Sequence, residues 1–192
     1  MTTPRVLAFA GSLRAGSYNR KLLRIAASCA REAGGDVTEL DLRDYPLPVF
    51  DEDLEARDGM PDSGQRLKDM FLGHGGLILS CPEYNSSITA ALKNALDWVS
   101  RQAPGEPAFA PFAGKVVGLL SASPGALGGL RGLVHVRAIL GNLQMVVLPQ
   151  QVAVVRAHEA FTEEGGLRDA KVGELVRSLA TAVVRSTERL AG

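Results

Sequence analysis

The chain lacks most of what would point to a metal site, a disulfide framework or a polyanion-binding surface. Two cysteines, Cys29 and Cys81, stand far apart in 192 residues, with no C-x-x-C pair. They form no disulfide framework and suit a reducing compartment, so a cytoplasmic location is expected. His74, His135 and His158 are scattered, with no pair at ligand spacing, which argues against a structural metal. No apolar run reaches the ~18 residues a bilayer span needs, and no membrane association is expected. Met1–Arg5 leads straight into an apolar run and does not read as a signal peptide. Neither sign of charge prevails, with Lys+Arg 21 against Asp+Glu 21. That balance gives no whole-chain field to attract nucleic acid or an acidic membrane.

What is present is ordinary in amount and informative in order. Apolar residues make up 46% and charged residues 22%, as in a soluble globular protein. A chain of this length is expected to be one domain, residues 1–192, burying about 70% of the surface its unfolded form exposes. Val6–Ala10, Gly76–Cys81, Lys115–Ser121 and Met145–Leu148 read as buried strands, and the more polar Val37–Leu42 as an edge strand. Between them lie helical patterns. Leu22, Ile25, Ala26, Cys29 and Ala33 form one stripe, ended by Gly34-Gly35. Asp62–Gly73 and Ala126–Leu140 read as helices. Ile88, Leu92, Ala95, Leu96 and Val99 form another stripe, with Ser86 or Ser87 as its cap. Lys93, Asp97 and Arg101 read as a solvated ladder on its outer side. Val172, Leu175, Val176, Leu179, Val183 and Leu190 mark a long final helix. Arg43–Pro61 reads as a long irregular connection, expected to border a ligand or a partner subunit.

Five strands alternating with five helices imply an α/β three-layer sandwich whose parallel sheet is covered on both faces. A polar second strand fits the flavodoxin-like order 2-1-3-4-5. In that arrangement ligands bind at the carboxyl ends of the strands, beside the switch point between strands 1 and 3.

The loop after the first strand is Gly11-Ser12-Leu13-Arg14-Ala15-Gly16-Ser17-Tyr18-Asn19. A strand, a small-residue loop and a helix start together aim N–H groups and a favourable dipole at an anion. Hydroxyls, an amide and one arginine complete a donor set for a phosphate monoester. The Lys and the following hydroxyl of an NTPase loop are missing, as is the middle glycine of a dinucleotide fingerprint. A mononucleotide held without metal remains. After the third strand, Cys81-Pro82-Glu83-Tyr84-Asn85-Ser86-Ser87 offers a rigid proline, an aromatic face and several donors for a flat heteroaromatic ring. After the fourth, Ser121-Ala122-Ser123-Pro124-Gly125 is small enough for close backbone approach.

Together, GSLRAGSYNRKLL (11–23), PEYNSSITAALKNALDWVSR (82–101), SASPGALGGLRG (121–132) and the weaker AHEAFTEEGGLRD (157–169) closely resemble the NADPH-dependent FMN reductases. That flavodoxin-like group includes chromate, quinone and azo-dye reductases. The resemblance spans nearly the whole chain. It implies FMN as cofactor and NADPH or NADH as donor. Ser12, Arg14, Ser17, Tyr18 and Asn19 would lie at the FMN phosphate, and Pro82, Glu83, Tyr84, Asn85 and Ser86 along the isoalloxazine. Ser121 and Gly125 would complete the site. The implied cycle is ping-pong hydride transfer to small-molecule acceptors, in a homodimer or homotetramer, with no side-chain catalyst. Where the family often has Ile-Pro-Gly, this chain has Ile88-Thr89-Ala90, so a slight shift of the helix start is expected there.

Other readings weigh less. A flavodoxin-type electron carrier is usually acidic and has no arginine in its phosphate loop. A response-regulator domain needs an aspartate where Cys81 stands. Cys81 reads as a small buried residue rather than a redox thiol. Glu83 is expected to act through its backbone or against a second subunit. Trp98 reads equally as packing or as subunit contact, and Arg131 and Arg137 as solvated surface.

Overall fold

The computed structural model describes residues 3–190. Five parallel strands, β1 (Arg5–Ala10), β2 (Asp36–Leu40), β3 (Gly76–Ser80), β4 (Val116–Ala122) and β5 (Val146–Val154), form one sheet in the order β2-β1-β3-β4-β5. That is the expected flavodoxin-like order, with the polar β2 at an edge. Side chains alternate across the sheet. Val6, Ala8, Ile78 and Leu120 face α1 (Tyr18–Glu32) and α6 (Ala170–Leu190). Leu7, Phe9, Leu77, Leu79 and Leu119 face α3 (Asp62–Leu72), α4 (Ala90–Val99) and α5 (Leu130–Asn142). The central strands are buried on both faces, which is why their sequences are continuously apolar.

Several boundaries differ from the sequence reading, each for a local reason. The 43–61 connection is not wholly irregular. It contains a 3₁₀ turn at Leu42–Asp44 and a sixth α-helix, α2 (Glu52–Asp58), whose N-cap Asp51 accepts from the N–H groups of Asp53 and Leu54. The cap of α4 is Thr89, not Ser86 or Ser87, because residues 84–87 close a tight turn first. α5 starts at Leu130 rather than Ala126, since Gly128 and Gly129 take left-handed φ of 62° and 92°. β5 continues past Leu148 through a register shift opposite Val117 and Leu119. Pro149 lies in the shifted stretch and has no N–H for the ladder, a break tolerated on an edge strand. Leu175 belongs to the exposed side of α6. Arg101 leaves the expected ladder to pair with Glu55, while Lys93 and Asp97 do pair. Trp98 is packing: it is fully buried, donates Nε1–H to the Pro48 carbonyl and meets Phe50 edge-on.

Candidate functional site

The loops after β1, β3 and β4 meet at the carboxyl edge of the sheet. Gly11 continues β1 by donating to the Ser80 carbonyl at 2.9 Å. A Cβ on Gly11 would stand 2.9 Å from Leu92 Cβ, so glycine lets α4 close on the loop. Thr89 Oγ1 joins the same two elements. It donates to the Gly11 carbonyl at 2.6 Å and accepts from the Leu92 N–H at 3.2 Å.

α1 begins with an open N-terminus. Its N-cap Ser17 makes no side-chain capping bond, and its first turn has no acid. The first N–H groups of the helix are left for another acceptor. Ser12 and Ser17 are nearly buried, and the Ser12 hydroxyl accepts from the Arg14 N–H at 3.3 Å. Arg14 folds back along the loop, donating Nη2–H to the Gly16 carbonyl at 3.1 Å. Asn19 anchors the loops through its side chain. Its Nδ2 donates to the Ala122 carbonyl at 2.8 Å, while its Oδ1 accepts from the Ala122 N–H and the Ser80 hydroxyl, each at 3.0 Å. The amide therefore ties α1 to β3 and β4, and one Nδ2 hydrogen is left over.

The second loop is anchored at both ends. Cys81 donates its N–H to the Leu120 carbonyl and is fully buried, and burial pushes its thiol far above the ordinary range. Such a thiol is inert at neutral pH. Tyr84 and Ser87 exchange backbone hydrogen bonds of 2.9 and 3.0 Å around Asn85 and Ser86, at φ 49° and 67°. Two left-handed central residues make this a hairpin-type turn, sterically easy for asparagine and less so for serine. It presents Tyr84 with 59% of its surface exposed.

Glu83 uses its side chain rather than its backbone alone. Its Oε1 accepts from Arg131 Nη2 at 2.6 Å, and its Oε2 from the Gly132 N–H at 3.1 Å. The carboxylate thus fixes the turn to the first turn of α5. Burial alone would raise its pKa, but the Arg131 and Gly132 hydrogen bonds outweigh this and hold it below the ordinary value. Arg131 is exposed, as expected of a surface residue, and is paired there with Glu83. Arg137 reaches the Leu148 carbonyl at 2.8 Å.

In the third loop the Ser121 hydroxyl is buried and donates to the Cys81 carbonyl at 2.7 Å, so this side chain braces loop two. A Cβ on Gly129 would overlap Ser121 Oγ, and Gly129 also has φ 92°.

A cavity of about 220 Å³ lies between these loops. Ser12, Arg14, Ser17, Tyr18, Asn19, Pro82, Glu83 and Tyr84 line it, joined by Ala122, Ser123 and Pro124. Four residues expected at the site, Asn85, Ser86, Ser121 and Gly125, are not part of this lining: Asn85 and Ser86 are the central residues of the Tyr84–Ser87 turn, the Ser121 hydroxyl is turned to the Cys81 carbonyl, and Gly125 follows Pro124 in the chain. Ala122, Ser123 and Pro124 belong to the small-residue loop expected after the fourth strand, although only Ser121 and Gly125 of it were expected to complete the site. A second cavity, about 370 Å³, is lined by Leu13, by Leu42, Arg43 and Tyr45–Leu47, and by Ala91, Asn94 and Ala95 of α4. The connection after β2 therefore borders the neighbourhood of the phosphate-type loop. Among the described residues no group of three His, Cys, Asp or Glu could hold a metal, and no helix is long and apolar enough to cross a membrane.

A family model for NADPH-dependent FMN reductase matches residues 4–159. This chain belongs to that family. An NAD(P)H-dependent FMN reductase of Pseudomonas aeruginosa is 35% identical over 98% of this chain and 97% of its own length. A quinone reductase of Escherichia coli K12 is 36% identical over 75% of this chain and 73% of its own. Among solved structures, the flavoenzyme NAD(P)H:(acceptor) oxidoreductase FerB from Paracoccus denitrificans superposes with a TM-score of 0.81 at 27% identity, covering 97% of this chain and 98% of FerB. As a member of the NADPH-dependent FMN reductases, the chain is an oxidoreductase with FMN as cofactor and NAD(P)H as donor. The donor set agrees with that cofactor. An uncapped helix N-terminus, two hydroxyls and an arginine suit a phosphate monoester, and the one carboxylate lining the cavity is neutralised by Arg131.

Proposed function

We propose that the cavity between the three loops holds FMN, and that the protein uses it to pass reducing equivalents from NAD(P)H to quinone-type acceptors in a ping-pong cycle. One observation carries this reading. The open N-terminus of α1 with Arg14 and the loop that presents Pro82, Glu83 and Tyr84 line one and the same cavity. FMN, when bound, supplies hydride acceptance from NAD(P)H and later delivery to an acceptor.

The protein's part is to bind, orient and tune. Ser12, Arg14, Ser17 and the first N–H groups of α1 hold the phosphate. Pro82, the Tyr84 ring and the backbone of Glu83–Ser86 border the ring system, with Ala122–Gly125 on the remaining side. N–H groups in the 83–86 turn favour negative charge on an adjacent ring edge. Donor and acceptor use the same open mouth in turn, so azo compounds and chromate are further acceptors to test. The family resemblance supports a homodimer or homotetramer in the cytoplasm as the working form.

The test is anaerobic. Protein loaded with FMN is mixed with NADPH while the visible flavin band is followed. The expected result is rapid bleaching, reversed by a quinone, with parallel double-reciprocal lines in steady state. Binding without bleaching would make the protein a carrier, and intersecting lines would replace the ping-pong cycle by a ternary complex. No FMN binding would overturn the reading of the cavity.

A further inference from the structure

We infer that Tyr18 and Phe161 position Arg14, so that the segment after β5 determines how well the site distinguishes a phosphorylated flavin from its dephosphorylated form. The inference rests on the FMN reading above and adds residues to it.

Tyr18 is the first residue of α1. Its ring lies parallel to that of Phe161, with centroids 6.2 Å apart and planes within 3°. The Arg14 guanidinium sits 5.4 Å from the Tyr18 centroid. Its one side-chain hydrogen bond goes to the Gly16 carbonyl, and Arg14 forms no ion pair among the described residues. The aromatic face is therefore a principal restraint on an otherwise exposed, flexible side chain. Lys21 Nζ is 6.0 Å from the Tyr18 centroid and 5.8 Å from that of Phe161, which places a second cation on the same aromatic pair.

Phe161 is itself fixed. It is 8% exposed, packs in the α1–α6 side of the core and forms an isolated antiparallel bridge with Leu167. The turn between them is closed by the Thr162 N–H on the Gly166 carbonyl at 2.9 Å, with Gly165 at φ 89°. A hydrogen-bonded hairpin thus presents Phe161 to Tyr18, and Tyr18 presents a face to Arg14. An arginine already ordered against a ring loses less freedom when it takes a phosphate. Riboflavin has the same ring system and no phosphate, so the arrangement should not affect it.

Flavin-free protein is titrated with FMN and, separately, with riboflavin, following quenching of flavin fluorescence. Wild type is expected to favour FMN strongly. Phe161→Leu should weaken FMN about two- to fivefold, the size of an exposed cation–π contact, and leave riboflavin within about twofold. Phe161→Tyr should restore FMN affinity. In an Arg14→Ala background, Phe161→Leu should change nothing further. Phe161→Met, which also removes the ring outside the cavity lining, gives the same test if Phe161→Leu proves unstable to heat. A wild type that binds both flavins equally would overturn the phosphate reading of Arg14 and the inference with it. A wild type that favours FMN, with the ring-removing variants keeping the same FMN-to-riboflavin ratio, would overturn the inference alone. Equal losses for both flavins would make the pair merely structural.

Discussion

Thr89 Oγ1 serves as cap of α4 and as donor to the Gly11 carbonyl, and both bonds are buried. Removing the hydroxyl while keeping the shape, as in Thr89→Val, uncaps Leu92 and leaves Gly11 without its donor. The expected cost is about 1–2 kcal/mol, a fall in Tm of about 2–8 °C for a chain of this size. Thr89→Ser should keep most of the stability. Equal melting temperatures for wild type and Thr89→Val would refute the double role. The sequence located the departure at Ile88-Thr89-Ala90 and a shifted helix start there but not the cap itself, because serines at 86 and 87 are equally good caps by type. What decides is the turn at 84–87, which delays the helix until Ala90. Asn19 shows the same limit. Its presence in the loop was legible, but its partner Ala122 lies 103 residues away, and no local pattern reports such a contact.

Elements built from continuous apolar runs were readable because their burial is written in every residue. α2 was not: none of its residues is buried, so it carries no apolar stripe. It is held by its Asp51 cap and by the Glu55–Arg101 pair at 2.8 Å. Contact between elements is also silent in the sequence. Gly118 sits mid-way along β4, where a Cβ would come 2.6 Å from Val183 Cγ2 of α6. α6 therefore lies against the sheet more closely than any side chain at 118 would permit. Gly118→Ala should destabilise by about 1–3 kcal/mol through overpacking. Trimming the facing residue should relieve this. In urea denaturation, Gly118→Ala/Val183→Ala is expected to be more stable than the two single losses added together predict, by about 0.5–3 kcal/mol of coupling. Strict additivity would mean that α6 shifts as a body and the contact is not rigid.

Across the whole molecule, the cavity stands at the carboxyl edge of the sheet, and a separate set of polar anchors at the amino edge. Alternation of strands and helices made the first legible, since a parallel sheet puts its ligand loops at the carboxyl edge. The amino edge was opaque, because its key contacts pair polar groups far apart in sequence. There His74 is 4% exposed, with Nδ1 2.6 Å from the Met70 carbonyl and Nε2 3.0 Å from Thr38 Oγ1, joining α3 to β2. Burial pushes its pKa down. The Met70 carbonyl opposes this, Arg5 and Lys115 add to it, and Asp36 offsets part of their effect. A histidine whose folded pKa lies below its unfolded value near ~6.5 is protonated more readily in the unfolded chain. Its contribution to stability is therefore complete above that value and is lost as pH falls toward the folded pKa. The urea midpoint of wild type should fall between pH 7.5 and 5.5, a window above most carboxylate titrations. His74→Gln should start from lower stability and show a shallower dependence, since it removes both the buried hydrogen-bonded ring and its titration. FMN affinity at pH 7.5 should be unchanged by the substitution, because the cavity lies at the opposite edge. An undiminished slope in His74→Gln would assign the pH dependence elsewhere. A loss of FMN affinity would show that the two ends of the sheet are coupled after all.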